Sequence, residues 1–384
     1  FLILYKNMKY LFALFLLFIL FGCSDVSTDC SLVKSDKSIR IPINSDANST
    51  TYNLRHFEHG GTEYLAVENM TSATISIYSL ADCSHYKDVK PQAHGPNGMG
   101  DTMDGFDIVS LDTIVVTFSH GDGSKLAIID SDANLIKKLK FEITHKPFFA
   151  PASPLRSDLG YCVSMHGDVL FIPNDWRDVE DSFYNLHTQT IGYCYDFVHD
   201  VAYNDSLHLP NISEYKSTIL YDLFSLCING NLRILSFIKG HQIFVHDGTS
   251  WKCYDAHSRL MSKSLKKIKP SSIDNVKMQF VENPWYCSMI YDKFRNVYYR
   301  IVYLGHDLKP GDDQFVLSEF LPRFSVMILD SDFNVIGETM LPENTYNIHM
   351  FFVNKDGLWF STNNVNNPSF EEDAINFDLF VLKR

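Results

Sequence analysis

One hairpin pattern occurs twice in this chain, far apart in the sequence. Residues 129–136 read Ile-Asp-Ser-Asp-Ala-Asn-Leu-Ile, and residues 329–336 read Leu-Asp-Ser-Asp-Phe-Asn-Val-Ile. In each copy the polar centre joins an apolar run to a second extended run. Asp, Ser and Asn form turns by hydrogen bonding to nearby backbone groups, so each copy predicts a β-hairpin. A hairpin repeated across most of a chain favours an all-β repeat architecture.

Similar units of short, strand-like runs follow one another along the chain. They cover residues 52–90, 106–143, 161–210, 223–257, 285–342 and 348–383. Four short strands per unit, without helical periodicity, predict the blades of a β-propeller. The last unit shows only three strands, and residues 39–43 can supply the fourth. Pro42 suits an outer edge strand because proline cannot donate a ladder hydrogen bond.

The predicted fold is therefore all-β: a six-bladed β-propeller over residues 38–384, whose N- and C-terminal strands share the closing blade. Seven blades are the alternative count, since the long third or fifth unit has room for another blade. A large β-sandwich or two smaller β domains are the alternative architectures.

The N-terminal residues predict export and a lipid anchor. The apolar run over residues 11–22 follows Met8-Lys9 and is short for a membrane span but suits a signal-peptide core. Gly22-Cys23 matches the lipobox of bacterial lipoproteins, which makes Cys23 the predicted lipidation site. Residues 1–22 then contain the signal peptide, whose translation start is Met8. Residues 23–37 form a flexible tether. A plain signal peptide or a short anchor helix is the alternative.

Charge and cysteine spacing restrict the partners. The net charge of −13 repels nucleic acid, so the predicted contacts are the membrane, through the anchor, and a glycan, peptide or envelope protein. The predicted location is the cell envelope, as an outer-membrane lipoprotein. The sequence does not distinguish the periplasmic side of that membrane from the cell surface. The seven cysteines other than Cys23 contain no C-x-x-C pair, so zinc and redox sites have no support. Export would permit disulfides, but the scattered, odd-numbered set favours free buried thiols.

A resemblance to a known family rests on three motifs. These are residues 94–100 (His-Gly-Pro-Asn-Gly-Met-Gly), the Asp130-Ser131-Asp132 turn, and residues 291–300, from Tyr-Asp-Lys to Tyr-Tyr-Arg. With a lipobox, a tether and six units, the chain resembles Bacteroidota lipoproteins of unknown function that carry a six-bladed, TolB-like β-propeller. The resemblance implies a fold and a location. It implies no chemistry, so no catalytic residue is carried over.

Motifs for common chemistries are missing from the sequence. The Asp130-x-Asp132-x-Asn134 pattern imitates a calcium loop, but Leu135 and Phe141 stand where the loop needs glycine and a bidentate glutamate. The sequence also contains no P-loop, H-E-x-x-H, G-x-S-x-G or dinucleotide-binding motif. No metal site and no cofactor is therefore predicted.

Polar and aromatic residues stand where the second strand of several units ends, and at one crossing between units. In a propeller these connections share one face, where converging polar groups can form a ligand pocket. The alternative is that strand ends are polar because they meet water. The candidate ligand-binding residues at this face are His94, Asn97, His120, Asp122, Trp176, Arg177, His241 and His306.

Arg300 is a ninth candidate, because it falls within a predicted inner strand. A charge in that position should face the central channel, where it could bind an anionic group, or form a structural bridge with a buried carboxylate.

These features favour a binding or scaffold protein, whose ligand is a glycan, a peptide or a partner protein. The alternative is a carbohydrate-active hydrolase or lyase with acid–base groups at the propeller mouth, for example His120 with Asp122 or His241.

Overall fold

The structure is a computed structural model of the chain. It describes residues 30–44, 47–69, 71–100, 103–118, 125–139, 155–173, 190–210, 224–261 and 273–384. Within these residues the chain forms six separate four-stranded antiparallel sheets. The predicted all-β, six-bladed propeller is confirmed, and neither long unit contributes a seventh sheet to the described part of the chain.

The sheets follow the chain in order, and one strand from the N-terminal end completes the last sheet. That strand is β1 (Ser31–Pro42). Blade one contains β2 (Leu54–His59), β3 (Thr62–Asn69), β4 (Thr74–Ser79) and β5 (His85–Val89). Blade two contains β6 (Met103–Ser110), β7 (Thr113–Phe118), β8 (Lys125–Ile129) and β9 (Leu135–Leu139). Blade three contains β10 (Ser164–His166), β11 (Val169–Pro173), β12 (Gly192–Asp196) and β13 (Val201–Asn204).

The second half of the ring repeats this arrangement. Blade four contains β14 (Phe224–Asn229), β15 (Leu232–Phe237), β16 (Gln242–His246) and β17 (Trp251–Asp255). Blade five contains β18 (Trp285–Asp292), β19 (Val297–Tyr303), β20 (Phe324–Leu329) and β21 (Val335–Met340). Blade six contains β22 (Phe351–Val353), β23 (Leu358–Ser361), β24 (Ala374–Lys383) and β1. Helices α1 (Ile273–Glu282) and α2 (Gln314–Glu319) lie in the connections into and within blade five.

Blade six closes the ring with both ends of the chain. β1 is its outermost strand and pairs antiparallel with β24, from Ser31 opposite Lys383 to Pro42 opposite Ala374. The predicted sharing of the closing blade is confirmed, and Pro42 does stand on an edge strand. The predicted tether is too long, however, because residues 31–37 already belong to β1. Residues 34–38 in the middle of this edge strand are mostly exposed, so the first half of β1 does not show the alternation that marks a half-buried strand.

The first strand of each blade faces the centre of the ring. This follows because first strands of neighbouring blades contact each other, as β2 does with β6 and β22. Antiparallel pairing then sorts the connections onto two faces. The loop face carries the crossings between blades and the connections between second and third strands. The turn face carries the connections between first and second strands, and between third and fourth strands.

The two hairpins of the repeated motif have the same structure. Asp130 and Asp330 each accept backbone N–H bonds of 2.9 Å from the residues two and four positions later. Three residues after each aspartate, Ala133 or Phe333 adopts a left-handed backbone conformation. Both turns join the third and fourth strands of their blades and lie on the turn face, three blades apart. The carboxylates therefore hold their own backbone turns.

Apolar side chains fill the spaces between neighbouring blades. Ile75 and Ile77 of blade one, for example, pack with Ile114 and Val116 of blade two, and all four are fully buried. Strands covered on both sides carry continuous apolar runs, which is why the units were recognisable in the sequence. Seven described cysteines form no disulfide, but only Cys30, Cys227 and Cys287 are buried. In the described ranges, no helix has the length and hydrophobicity of a membrane span.

One crossing passes through the middle of the ring. Residues 155–163, here called the plug segment, lead into blade three and contain a 3-10 helix, Ser157–Leu159. This helix contacts β2, β14 and β18, which are the first strands of blades one, four and five. Blades one and four are opposite each other in a ring of six, so the segment lies on the ring axis. Gly160 has a φ of 69°, and a Cβ there would overlap the carbonyl oxygen of Leu226.

Candidate functional site

Buried charges hold the plug segment to the inner strands. Arg55 of β2 forms an ion pair with Asp107 of β6, with Nε and Oδ1 2.8 Å apart. Arg55 also donates to the carbonyl of Tyr161, and Asp107 accepts the backbone N–H of Val163 at 2.7 Å. A buried pair that also satisfies backbone groups fixes geometry more than it adds stability. The plug segment is therefore held in one position relative to blades one and two.

A polar cluster lies at the loop-face end of the axis. We call it the axial cluster: Tyr52, Arg156, Asp158, Glu319 and His349. Arg156 and Asp158 belong to the plug segment, Tyr52 precedes β2, His349 precedes β22, and Glu319 ends α2. Four separate connections thus meet at one point, which is the geometry that propeller closure produces.

Asp158 organises the axial cluster. Its Oδ1 accepts from Arg156 Nε at 2.8 Å, and its Oδ2 accepts a second bond from the same guanidinium. Asp158 Oδ2 also lies 2.7 Å from His349 Nδ1. Burial opposes ionisation of Asp158, but Arg156 and His349 outweigh it and hold the pKa of this carboxyl well below its usual range. Because a carboxylate can only accept, His349 Nδ1 carries the hydrogen and Nε2 is turned away from Asp158.

Tyr52 completes the cluster. The Arg156 guanidinium lies over the Tyr52 ring, 4.5 Å from its centre, and the His349 ring meets Tyr52 edge-on at 4.8 Å. The Tyr52 hydroxyl donates to the Glu319 carboxylate. Burial, with Glu319 as its acceptor, raises the pKa of Tyr52. The cluster thus presents an aromatic ring, a cation and an oriented imidazole side by side.

A buried carboxyl group lies near the axial cluster on blade one. Glu68, near the loop-face end of β3, is 4% exposed, and its Oε1 has no hydrogen-bond partner within the described part of the chain. The same holds for Oδ1 of the buried Asn53. Burial raises the pKa of Glu68 to about 8, while Asn53 and the Arg55 and Arg156 charges offset this only in part. At neutral pH Glu68 therefore carries a proton and can donate a hydrogen bond, and Asn53 is its side-chain partner.

Two of the predicted site residues, His241 and Arg300, lie together between blades four and five. Arg300 is fully buried, and its guanidinium donates to the carbonyls of Gly240, His241 and Ala256 at 2.7 Å each. The guanidinium also lies 3.4 Å from the ring centre of Tyr286. This arrangement favours the structural alternative for Arg300, with carbonyl oxygens in the place of the expected carboxylate.

His241 is half-buried beside this cage. Its Nδ1 lies 2.8 Å from the Tyr286 hydroxyl, and its ring centre lies 3.9 Å from that of His257. Burial, together with the nearby His257 and Arg300, lowers the pKa of His241. The imidazole is therefore neutral at neutral pH, and it remains a candidate for hydrogen bonding rather than for binding an anion.

The other predicted residues do not join this pair. His306 lies 3.2 Å from Asp312 in the connection between β19 and β20. His94 and Asn97 are exposed on the crossing into blade two. Four candidates lie outside the described residues: His120, Asp122, Trp176 and Arg177. In none of the described ranges are three His, Cys, Asp or Glu side chains grouped closely enough to hold a metal ion.

The axial cluster contains none of the nine predicted residues. Most of the predicted residues mark the ends of second strands, whereas the cluster is built mainly from crossings. A usable signal was present: polar or aromatic residues stand shortly before three first strands, as Tyr52, Asp158 and His349 do before β2, β10 and β22. Crossings bring such positions to the axis because each one must return to the inner strand of the next blade.

Comparison with known proteins identifies the family. A sequence profile of DUF4221, a domain of unknown function, matches residues 30–340. The chain belongs to the DUF4221 family. A DUF4221 member from Bacteroides vulgatus, known from a crystal structure, is 24% identical to it, over 93% of this chain and 99% of the other, with a TM-score of 0.78. The resemblance to six-bladed lipoproteins of unknown function is thereby confirmed in family and fold, and the lipid anchor stays a prediction.

A second solved structure has the same fold at lower similarity. It is named a putative exported protein from Bacteroides fragilis and is 10% identical, over 94% of this DUF4221 chain and 98% of the other, with a TM-score of 0.52. Comparison with curated proteins gives no match. At these identities the two structures support the propeller fold, and they carry no assignment of ligand or reaction to the DUF4221 chain.

Proposed function

We propose that this DUF4221 protein binds a glycan at the axial cluster on its loop face. The observation that carries the proposal is the assembly of Arg156 and Asp158 from one crossing with His349 from another, beside the partly exposed face of the axial cluster to which Tyr52 contributes. Donors and acceptors side by side match hydroxyl groups, which both donate and accept. The Tyr52 ring adds a flat surface for a sugar ring.

Binding across a glycan library, measured by ligand-detected NMR, tests this proposal. His349→Gln removes the imidazole but keeps a side chain able to donate to Asp158. We expect it to weaken binding by about tenfold, the effect of one lost hydrogen bond to the ligand. His306→Gln is the matched control, since His306 is also a loop-face histidine beside an aspartate. Equal binding by the two variants, or no glycan bound by the wild type, would refute the proposal.

A catalytic role is the second candidate, because one contact favours it. A buried aspartate 2.7 Å from Nδ1 of a histidine is the arrangement that orients a general base in many hydrolases. His349 would then take a proton through Nε2 from water or from a sugar. A hydrolase or lyase converts the bound glycan, and its turnover falls by about 100-fold or more in His349→Gln. A ligand that binds and is recovered unchanged identifies a binding protein instead.

We further propose that the protein is exported and held to the membrane by Cys23. The lipobox supports this, and the name of the Bacteroides fragilis structure describes that protein as exported. Within the described residues the first strand pairing is between Cys30 and Gly337, at the turn-face end of β21, and Cys23 precedes Cys30 by seven residues. The turn face then points toward the membrane and the loop face, with the axial cluster, away from it.

Membrane fractionation tests the anchor. We expect Cys23→Ser to move the protein from the membrane to the soluble fraction, because a lipidated cysteine supplies the acyl chains that hold it. Ser24→Ala is the neighbouring control and should leave the protein on the membrane. A Cys23→Ser protein that stays membrane-bound would contradict lipidation.

A further inference from the structure

A cavity lies on the turn face, at the opposite end of the ring from the axial cluster. It has a volume of about 520 Å³ and lies where the first hairpin turns of blades one, five and six meet. We call it the turn-face pocket. The residues used below are His56, Phe57, Glu58, Glu63, Lys293, Phe294 and Lys355, all of which line it. Its size is within the usual range of small-ligand sites.

Hydrogen bonds between blades hold the walls of the turn-face pocket. Asn354 Nδ2 donates to Glu63 at 2.7 Å, which ties the blade-six turn to blade one. Arg295 donates to the carbonyls of Asn354 and Lys355, at 3.2 and 2.8 Å, which ties blade five to the same turn. Asp292, fully buried, accepts from Arg295 at 2.8 Å. Walls that are bonded before a ligand arrives reduce the ordering cost of binding.

Most of the polar groups in the pocket are already satisfied. Burial opposes ionisation of Glu63, but hydrogen bonds from Asn354 and Lys355 outweigh it and hold its pKa below the usual range. The ammonium of Lys355 lies 3.2 Å from Glu63. His56 stacks on Phe352 with ring centres 5.2 Å apart, and burial lowers its pKa, so it is neutral at neutral pH. The interior of the pocket is thus close to electrically balanced.

Lys293 is different from these groups. It is exposed, its ammonium lies 5.1 Å from the ring centre of Phe294, and no carboxylate pairs with it in the described part of the chain. Phe294 is 50% exposed, and Phe57 lines the same cavity. An available cation next to aromatic surface can recognise an anionic group attached to a ring. The exposed carboxylate of Glu58 on the rim would repel a second negative charge.

We infer that the turn-face pocket binds a small ring-bearing monocarboxylate. Its carboxylate pairs with the Lys293 ammonium, and its ring lies against Phe294. Two sources have this chemistry: an acidic sugar, such as a hexuronic acid, and an aromatic acid. This site is separate from the axial cluster and does not depend on a ligand there.

Calorimetric titration of the purified protein tests the inference. The probes are galacturonate and benzoate, with methyl galactoside and benzyl alcohol as their uncharged counterparts. We expect one acid to bind at least about tenfold more tightly than its counterpart, the effect of one charge-assisted hydrogen bond. Lys293→Gln should remove this preference. Lys90→Gln, the same change at an exposed lysine of another surface, should retain it.

The outcomes are separable from those of the proposed function. Binding of galacturonate identifies an acidic sugar as the ligand class, and binding of benzoate an aromatic acid. In either case His349→Gln should leave the titration unchanged, since His349 lies on the other face. Absence of saturable binding by both acids, equal binding of acid and neutral probes, or equal loss in Lys293→Gln and Lys90→Gln would each overturn the inference.

Discussion

The buried carboxyl group of Glu68 makes stability depend on pH in a way that one substitution removes. Glu68 is 4% exposed, and burial raises its pKa from 4.5 to about 8. At neutral pH the folded protein therefore holds a proton on this group that the unfolded chain has released. Glu68→Gln replaces the protonated carboxyl by an amide of nearly the same shape that cannot ionise.

The sign and size of the effect follow from proton linkage. Because the folded pKa is raised, the stabilisation from Glu68 is fully present below pH 4.5 and is lost as pH rises through 8. The two pKa values give a loss on the order of 4 kcal/mol between pH 5 and pH 9, of which about 1 kcal/mol falls between pH 7 and pH 9. Glu68→Gln should not show this loss, so its stability relative to wild type rises with pH.

Urea denaturation at pH 5, 7 and 9 measures the difference directly. All other groups titrate in both proteins and cancel when the two free energies of unfolding are subtracted. Glu58→Gln, at an exposed glutamate, is the control and should follow the wild type at every pH. Parallel pH profiles for Glu68→Gln and wild type would show that Glu68 is ionised in the folded state and would refute the reasoning.

Four further substitutions test the architecture. Gly160→Ala should lower the free energy of unfolding in urea by about 2 kcal/mol or more, since the left-handed backbone and the Leu226 carbonyl exclude a Cβ. An unchanged midpoint of urea denaturation would contradict the position of the plug segment. Arg300→Lys should cost roughly 3 kcal/mol by the same measurement, because an ammonium cannot reach all of the carbonyls that the guanidinium bonds. Asp130→Ala and Asp330→Ala should each cost about 1 kcal/mol in thermal denaturation and should add in the double variant, because the turns are three blades apart.

Much of the fold could be predicted because its signals are local. The turn at residues 130–134 depends on side chains that bond to their own backbone, and the matching turn at 330–334 repeats the bonds that its aspartate accepts. The closing strand could be predicted from a count of strands in the last unit, together with Pro42 at an edge. The start of β1 could not, because a solvated edge strand carries no apolar alternation and is defined by its partner β24.

The candidate site was harder to predict because its members are distant in sequence. Tyr52, Asp158 and His349 each precede a first strand, but an isolated polar residue before a strand is common and carries little information. What makes these three a cluster is the plug segment, which brings Asp158 to the axis. Its position depends on the buried pair of Arg55 and Asp107, which no sequence spacing indicates.

The sequence by itself determined the repeat and the closure, because hydrophobic alternation and turn chemistry act between neighbouring residues, and the structure decided between six and seven blades. The tertiary structure decided which polar groups face one another. Arg300, a candidate for ligand binding by sequence, became a buried structural cation because carbonyls of blade four surround it. His349, which no motif marked, became an oriented imidazole because ring closure placed it against Asp158. Burial and partner geometry arise only when distant segments meet, so the chemistry of the site depends on the closed ring.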